Sequence, residues 1–135
     1  MLDKLAHRQI VALDSDVVSA RQHGRTIAAK LGFGRPDQAL IATAISELAR
    51  NIVSYAKRGE IEITQLTRGP HIGLQVIARD QGPGIADLNA AMTDGFSTGN
   101  SLGLGLPGTK RIVDEFDIRS ELGNGVTVRI IKWLR

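Results

Sequence analysis

A chain of 135 residues with 42% apolar and 23% charged residues has the balance of one globular domain, 1–135, with enough material for a core. No apolar run approaches the roughly 18 residues of a membrane span, and the N-terminus MLDKLAHRQI lacks an apolar signal region, so neither membrane nor secretion is expected. The absence of cysteine excludes disulfides and cysteine–zinc sites and fits a cytoplasmic setting; the formal charge of +3 is spread along a chain with only 4% aromatics, which argues against nucleic acid as a partner.

In chain order, Arg8–Leu13 reads as a first strand, and Asp14, Ser15 or Asp16 is placed to cap the helix that follows. That helix runs to about Lys30 with Val17, Ala20, Ile27 and Leu31 on one side, and LGFGRPD connects it to the next. A second helix runs from Pro36 or Asp37 to about Ala56, its apolar stripe being Ile41, Ile45, Leu48, Ile52 and Tyr55. Glu60–Thr67 and Ile72–Asp80 read as strands joined by the turn RGPH. Residues 81–106 are glycine-rich without regular pattern. Pro107 suits the first turn of a third helix ending near Phe116, and Asp117–Glu121 and Val126–Trp133 are strands around the turn LGNG. Strands in adjacent runs predict an α+β two-layer sandwich, a mixed sheet with helices on one face.

Three places carry candidate chemistry. Glu47 and Asn51 are four residues apart on one side of the second helix, at the shoulder of its apolar stripe, with Arg50 and Lys57 on the opposite face. Asparagine is a mediocre helix former, and its side-chain oxygen suits a hard cation such as Mg²⁺; a carboxylate beside it can take a hydroxyl proton. An ordinary polar pair on a helix would look the same. Asp80 shares the buried face of its strand with Ile72, Leu74, Val76 and Ala78, and the turn Gln81-Gly82-Pro83-Gly84 follows at once. A carboxylate there has a hydrogen-bond partner or a ligand such as an adenine amino group, unless it only initiates the turn. Finally, Leu102-Gly103-Leu104-Gly105-Leu106-Pro107-Gly108 leads into a helix N-terminus, where backbone N–H groups and the helix dipole favour phosphate. It is neither a Rossmann turn nor a P-loop.

Taken together, the ExxxN helix, the DxGxG turn and the GxG helix start resemble the N, G1 and G2 boxes of the GHKL (Bergerat-fold) ATPase superfamily, over Ile41 to Trp133. Within it, ELARNIVSYA, DQGPGI, TDGFSTG and GLGLPGTKRIVDEF resemble the small RsbT-type serine/threonine kinases of partner-switching stress-response modules. The resemblance implies ATP and Mg²⁺ as ligands, with Glu47 the catalytic carboxylate and Asn51 the metal ligand. By the same resemblance Asp80 meets the adenine amino group, Gly84 lines the base, residues 86–102 form the ATP lid, and the backbone at Gly103 and Gly105 holds phosphates. Gly82, Ile85, Ser101, Leu102, Leu104 and Leu106 complete the nucleotide-contacting set, and Lys110 is among the groups that neutralise phosphate. The implied substrate is a STAS-domain protein, with a PP2C-type phosphatase or another switch protein as further partner.

Two departures from that pattern stand out. Many relatives carry threonine after the last glycine of the penultimate hairpin turn, whereas Gly125 is followed by Val126, and Thr127 points to the other face by parity. No Lys or Arg occurs between Asp80 and Lys110, so the lid offers no cation to the γ-phosphate. The competing reading is an anti-sigma or partner-sequestering module with the same pocket. A histidine kinase fragment is disfavoured, because His7, His23 and His71 lack the setting of a phosphoacceptor, and three scattered histidines do not make a metal site.

Overall fold

The computed structural model describes residues 6–84, Met92 and 105–135. Five strands, β1 (Ala6–Val11), β2 (Gly59–Arg68), β3 (His71–Asp80), β4 (Glu115–Glu121) and β5 (Gly125–Trp133), form one sheet in the order β1-β2-β3-β5-β4. Among the described residues three α-helices accompany it: α1 (Asp14–Leu31), α2 (Arg35–Asn51) and α3 (Gly105–Ile112). The register aligns Ile61 with Ala78, Ile63 with Val76, and Val76 with Ile130, so one face of the sheet is a continuous apolar row. That row joins Ala20 and Ile27 of α1 and Ile41, Ile45 and Leu48 of α2 in a single core. The opposite face carries Arg8 paired with Glu60, and Arg79 near Glu62. The α+β two-layer expectation therefore holds.

Among the described residues, strand sense departs from the mixed sheet expected: all four pairings are antiparallel. Two helices lie between β1 and β2, so the chain returns in the opposite sense, and β2–β3 is a hairpin closed at Arg68 and His71. β3 and β4 do run the same way, but β5 folds back between them, and no parallel pair forms among the described strands.

Local chemistry explains the shifted boundaries. β1 stops at Val11, two residues short of expectation, because the Asp16 carboxylate accepts the N–H groups of Ala12 and Leu13 at 2.9 Å each. Those two bonds hold the Asp16 carboxyl below its ordinary pKa and fix the start of α1. α1 ends at Gly32, whose left-handed φ of 103° allows its N–H to reach the Ala29 carbonyl. α2 is regular only to Asn51; Ile52–Ala56 form one π-helical turn that closes at Lys57 with φ 68°. The wider turn rotates the face, so Tyr55, expected in the apolar stripe, is 48% exposed while Ile52 stays buried. α3 begins two residues earlier and ends four residues sooner than expected. Phe116 belongs to β4, where it pairs with Ile130 and packs on the core.

Candidate functional site

The C-terminal end of α2 collects the expected site residues. Glu47 is 2% exposed, on the side of α2 that meets α3. Its Oε2 accepts the Gly105 N–H at 3.2 Å, which joins the ExxxN helix to the start of the glycine-led helix. Its Oε1 accepts from Arg50 Nη1 at 2.9 Å. This corrects the placement of Arg50 on the opposite face: the i,i+3 spacing brings it against Glu47. That spacing was the available sequence signal, and apolar periodicity alone missed it.

Asn51 follows one turn later, half-buried, as the last residue of α2 before the π turn. Among the described residues its side-chain amide makes no hydrogen bond, so its oxygen is available to a hard cation or a polar ligand. Single π turns inside helices recur at functional sites, where they re-aim a side chain.

Asp80 closes β3 on the core face, as parity requires. Its Oδ1 accepts the N–H of Gly82 at 2.9 Å and of Val126 at 3.2 Å. Among the described residues both donors reach Oδ1, and Oδ2 is left for another donor. The β4–β5 hairpin thus secures the DQGPG turn, and the Gly123 N–H adds a bond of 3.0 Å to the Pro83 carbonyl. Gly84 has φ 80° and lies so close to the Glu121 carbonyl that a Cβ would collide with it. Gly125, at φ 91°, lies against the Asp80 backbone with no room for a side chain. The Val126 contact was not legible beforehand, since a backbone donor leaves no mark in residue type. Thr127 does lie on the other face, as expected, where it lines an open concavity of about 430 Å³ with Ile77, Arg79 and Arg129. That concavity is separate from Glu47 and Asn51, and its arginines already lean on Glu62 at 4.0 Å and Gln75 at 3.4 Å.

Gly59 and Gly82 bring the pieces into contact: Gly59 fits between Ile52 and Asp80, and Gly82 lies against Ala56. The π turn after Asn51 therefore abuts the Asp80 turn, while Glu47 reaches α3. Gly105 and Leu106 open α3. The Leu106 side chain is buried in the core, which leaves only its backbone for a ligand. Thr109, fully buried, anchors the turn by donating to the Gly105 carbonyl at 2.9 Å. Lys110 is exposed on α3. Ile85, Ser101, Leu102, Gly103 and Leu104, with the lid 86–102 apart from Met92, lie outside the described residues.

The sequence profile described as "Histidine kinase-, DNA gyrase B-, and HSP90-like ATPase" matches residues 36–135, all the elements just assembled. The chain belongs to this GHKL ATPase family. Among GHKL relatives, it is 57% identical over 120 residues to the serine/threonine-protein kinase RsbT of Bacillus subtilis (strain 168), covering 89% of this chain and 90% of that protein. It is 32% identical over 121 residues to the anti-sigma F factor of Thermoanaerobacter sp. (strain X514), covering 85% and 83%. The fold is also similar to a solved structure of the RsbU and RsbW domains of a Mycobacterium tuberculosis protein, with TM-score 0.64 and 22% identity over 99% of this chain. The chain spans 34% of that longer chain, and the likeness speaks to fold alone.

Proposed function

We propose that the chain is a protein-serine/threonine kinase that transfers the γ-phosphate of ATP to a STAS-domain partner in a cytoplasmic partner-switching module, with a PP2C-type phosphatase or another switch protein as further partner. The observation that carries this reading is the Glu47–Gly105 contact, with the unengaged Asn51 amide one turn away. It puts a buried carboxylate beside an amide of a helix start, with the Asn51 oxygen one turn further along the same side of α2. The 57% identity to a protein named as a kinase supports transfer over binding alone.

In this reading Asp80 Oδ2 accepts the adenine amino group, and Gly82, Gly84 and Ile85 border the base. The backbone from Ser101 through Leu106 holds the phosphates, and Lys110 adds positive charge. The donors fit Mg²⁺ held mainly by phosphates. Asn51 offers one neutral oxygen, and the described residues contain no cluster of acids and histidines that would cage a metal by itself. Magnesium, when bound, would neutralise phosphate charge. The rest is positioning. A lone pair of the acceptor hydroxyl forms the new O–P bond, the β–γ bridging bond breaks with its electrons on ADP, and the hydroxyl proton passes to Glu47 Oε2.

The 32% identity to anti-sigma F factors supports a second reading, a module that sequesters a sigma factor and uses ATP to set its shape. Incubation of the wild type with γ-labelled ATP and candidate STAS proteins separates the two. Label on a partner serine or threonine is expected. A wild type that labels no STAS protein it binds, yet captures a sigma factor, supports the second reading instead.

A further inference from the structure

A carboxylate taken out of water needs firm partners, and among the described residues Glu47 has two of unequal permanence. Its side chain is 3% exposed; that of Arg50, beside it, is 35% exposed. The Gly105 N–H carries a single hydrogen and stands at the start of α3, where phosphate oxygens would compete for it. A phosphate that takes this hydrogen releases Oε2 of Glu47. The Arg50 bond does not depend on the start of α3. It comes from the same helix three residues on.

We infer that Arg50 is a positioning residue: it holds Oε1 of Glu47 while nucleotide takes the Gly105 N–H, and so aims the freed Oε2 at the acceptor hydroxyl. This rests on the kinase reading above. One amide hydrogen, shared in turn by carboxylate and phosphate, then links nucleotide arrival to release of the base. Arg50 touches neither substrate nor reacting atoms; it acts through Glu47.

The test uses the full chain as wild type, Arg50→Met, Arg50→Lys, Glu47→Gln and the Glu47→Gln/Arg50→Met double variant. Arg50→Met should lower kcat for STAS phosphorylation by roughly 10- to 100-fold, the scale on which a mis-aimed base acts, with KM for ATP nearly unchanged. Arg50→Lys should recover part of that loss. In the Glu47→Gln background Arg50→Met should cause no further loss, because the group it positions is gone. An unchanged kcat in Arg50→Met, or an equal proportional loss in the Glu47→Gln background, overturns the inference. Should Arg50→Met fail to fold, Arg50→Lys and the double variant, which buries no unpaired carboxylate, still carry the comparison.

A second readout does not need activity. The Arg50 guanidinium nitrogen-15 signals should show hindered rotation with Mg²⁺ and the β,γ-imido analogue of ATP, and Glu47→Gln, which leaves only a neutral amide oxygen as acceptor, should weaken it. Signals indifferent to Glu47→Gln overturn the pairing even if the wild type transfers no phosphate, a result that by itself removes only the kinase reading.

Discussion

Asp80 engages one oxygen in the structure and, among the described residues, leaves the other without a donor. Asp80→Asn keeps Oδ1, and with it the bonds from Gly82 and Val126, but replaces Oδ2 by a donor that opposes the adenine amino group. The fold should survive, while ATP affinity falls by roughly 1.5–3 kcal/mol, the scale of a bond to a charged acceptor. Wild type should bind GTP poorly, since guanine presents a carbonyl at that position; calorimetry with similar ATP and GTP affinities would remove this role. Asn51 makes the complementary case. Its amide holds nothing together among the described residues, so Asn51→Ala should change stability by less than about 0.5 kcal/mol. Mg²⁺-dependent ATP affinity should nevertheless drop, and an unchanged affinity would show that Asn51 does not hold the metal. The types and spacings of Glu47, Asn51 and Asp80 made these positions legible in sequence. The Arg50 pairing left a signal in its i,i+3 spacing that apolar periodicity passed over, whereas the Val126 N–H left none, because it depends on a strand neighbour 46 residues away.

Among the elements, the β4–β5 hairpin secures the DQGPG turn. Gly125→Ala would force a side chain into the Asp80 backbone at a φ that L residues avoid. Strain alone costs on the order of 1–2 kcal/mol, so urea unfolding should show at least that loss, together with weakened ATP binding. A variant as stable as wild type would contradict the close approach. The other end of the sheet is held by Asp114. Burial opposes its ionisation, but the Trp133 N–H at 2.6 Å, Arg135 and nearby Lys132 outweigh burial and hold its carboxyl below the ordinary value. A carboxylate lowered on folding stabilises above its unfolded pKa of about 3.9 and loses that contribution as pH falls through the folded value. The stability difference between wild type and Asp114→Asn should therefore be constant above about pH 5 and shrink below about pH 4. A difference flat with pH would contradict an ionised Asp114. Strand and helix identities were legible from period, but their ends were not. The ends follow particular bonds, such as Asp16 to Ala12 and Leu13, and the π turn that turned Tyr55 outward.

At the scale of the molecule, the two-layer architecture follows from pattern: apolar rows on β2, β3 and β5 face apolar stripes on α1 and α2. Strand sense was harder to read, because it depends on β5 inserting between β3 and β4, a pairing no local signal announces. The consequence for function is a long-range one. Residues 47, 80 and 105 lie far apart in sequence, and the covered sheet face with α2 and α3 brings them to one end of the core, where phosphate, base and acceptor would meet. The most direct measurement is single-turnover phosphorylation of a STAS partner by wild type and Glu47→Gln at matched ATP occupancy. The Gln side chain keeps an oxygen for Arg50, but its amide NH₂ replaces Oε2, so it neither accepts from Gly105 nor takes a proton. The expected result is rapid transfer by wild type and a loss of roughly 100-fold or more in Glu47→Gln, within the range of general-base contributions, with ATP affinity and partner binding retained. Equal rates in the two proteins would contradict the role of Glu47, and no transfer by wild type to any STAS protein that it binds would contradict the kinase itself.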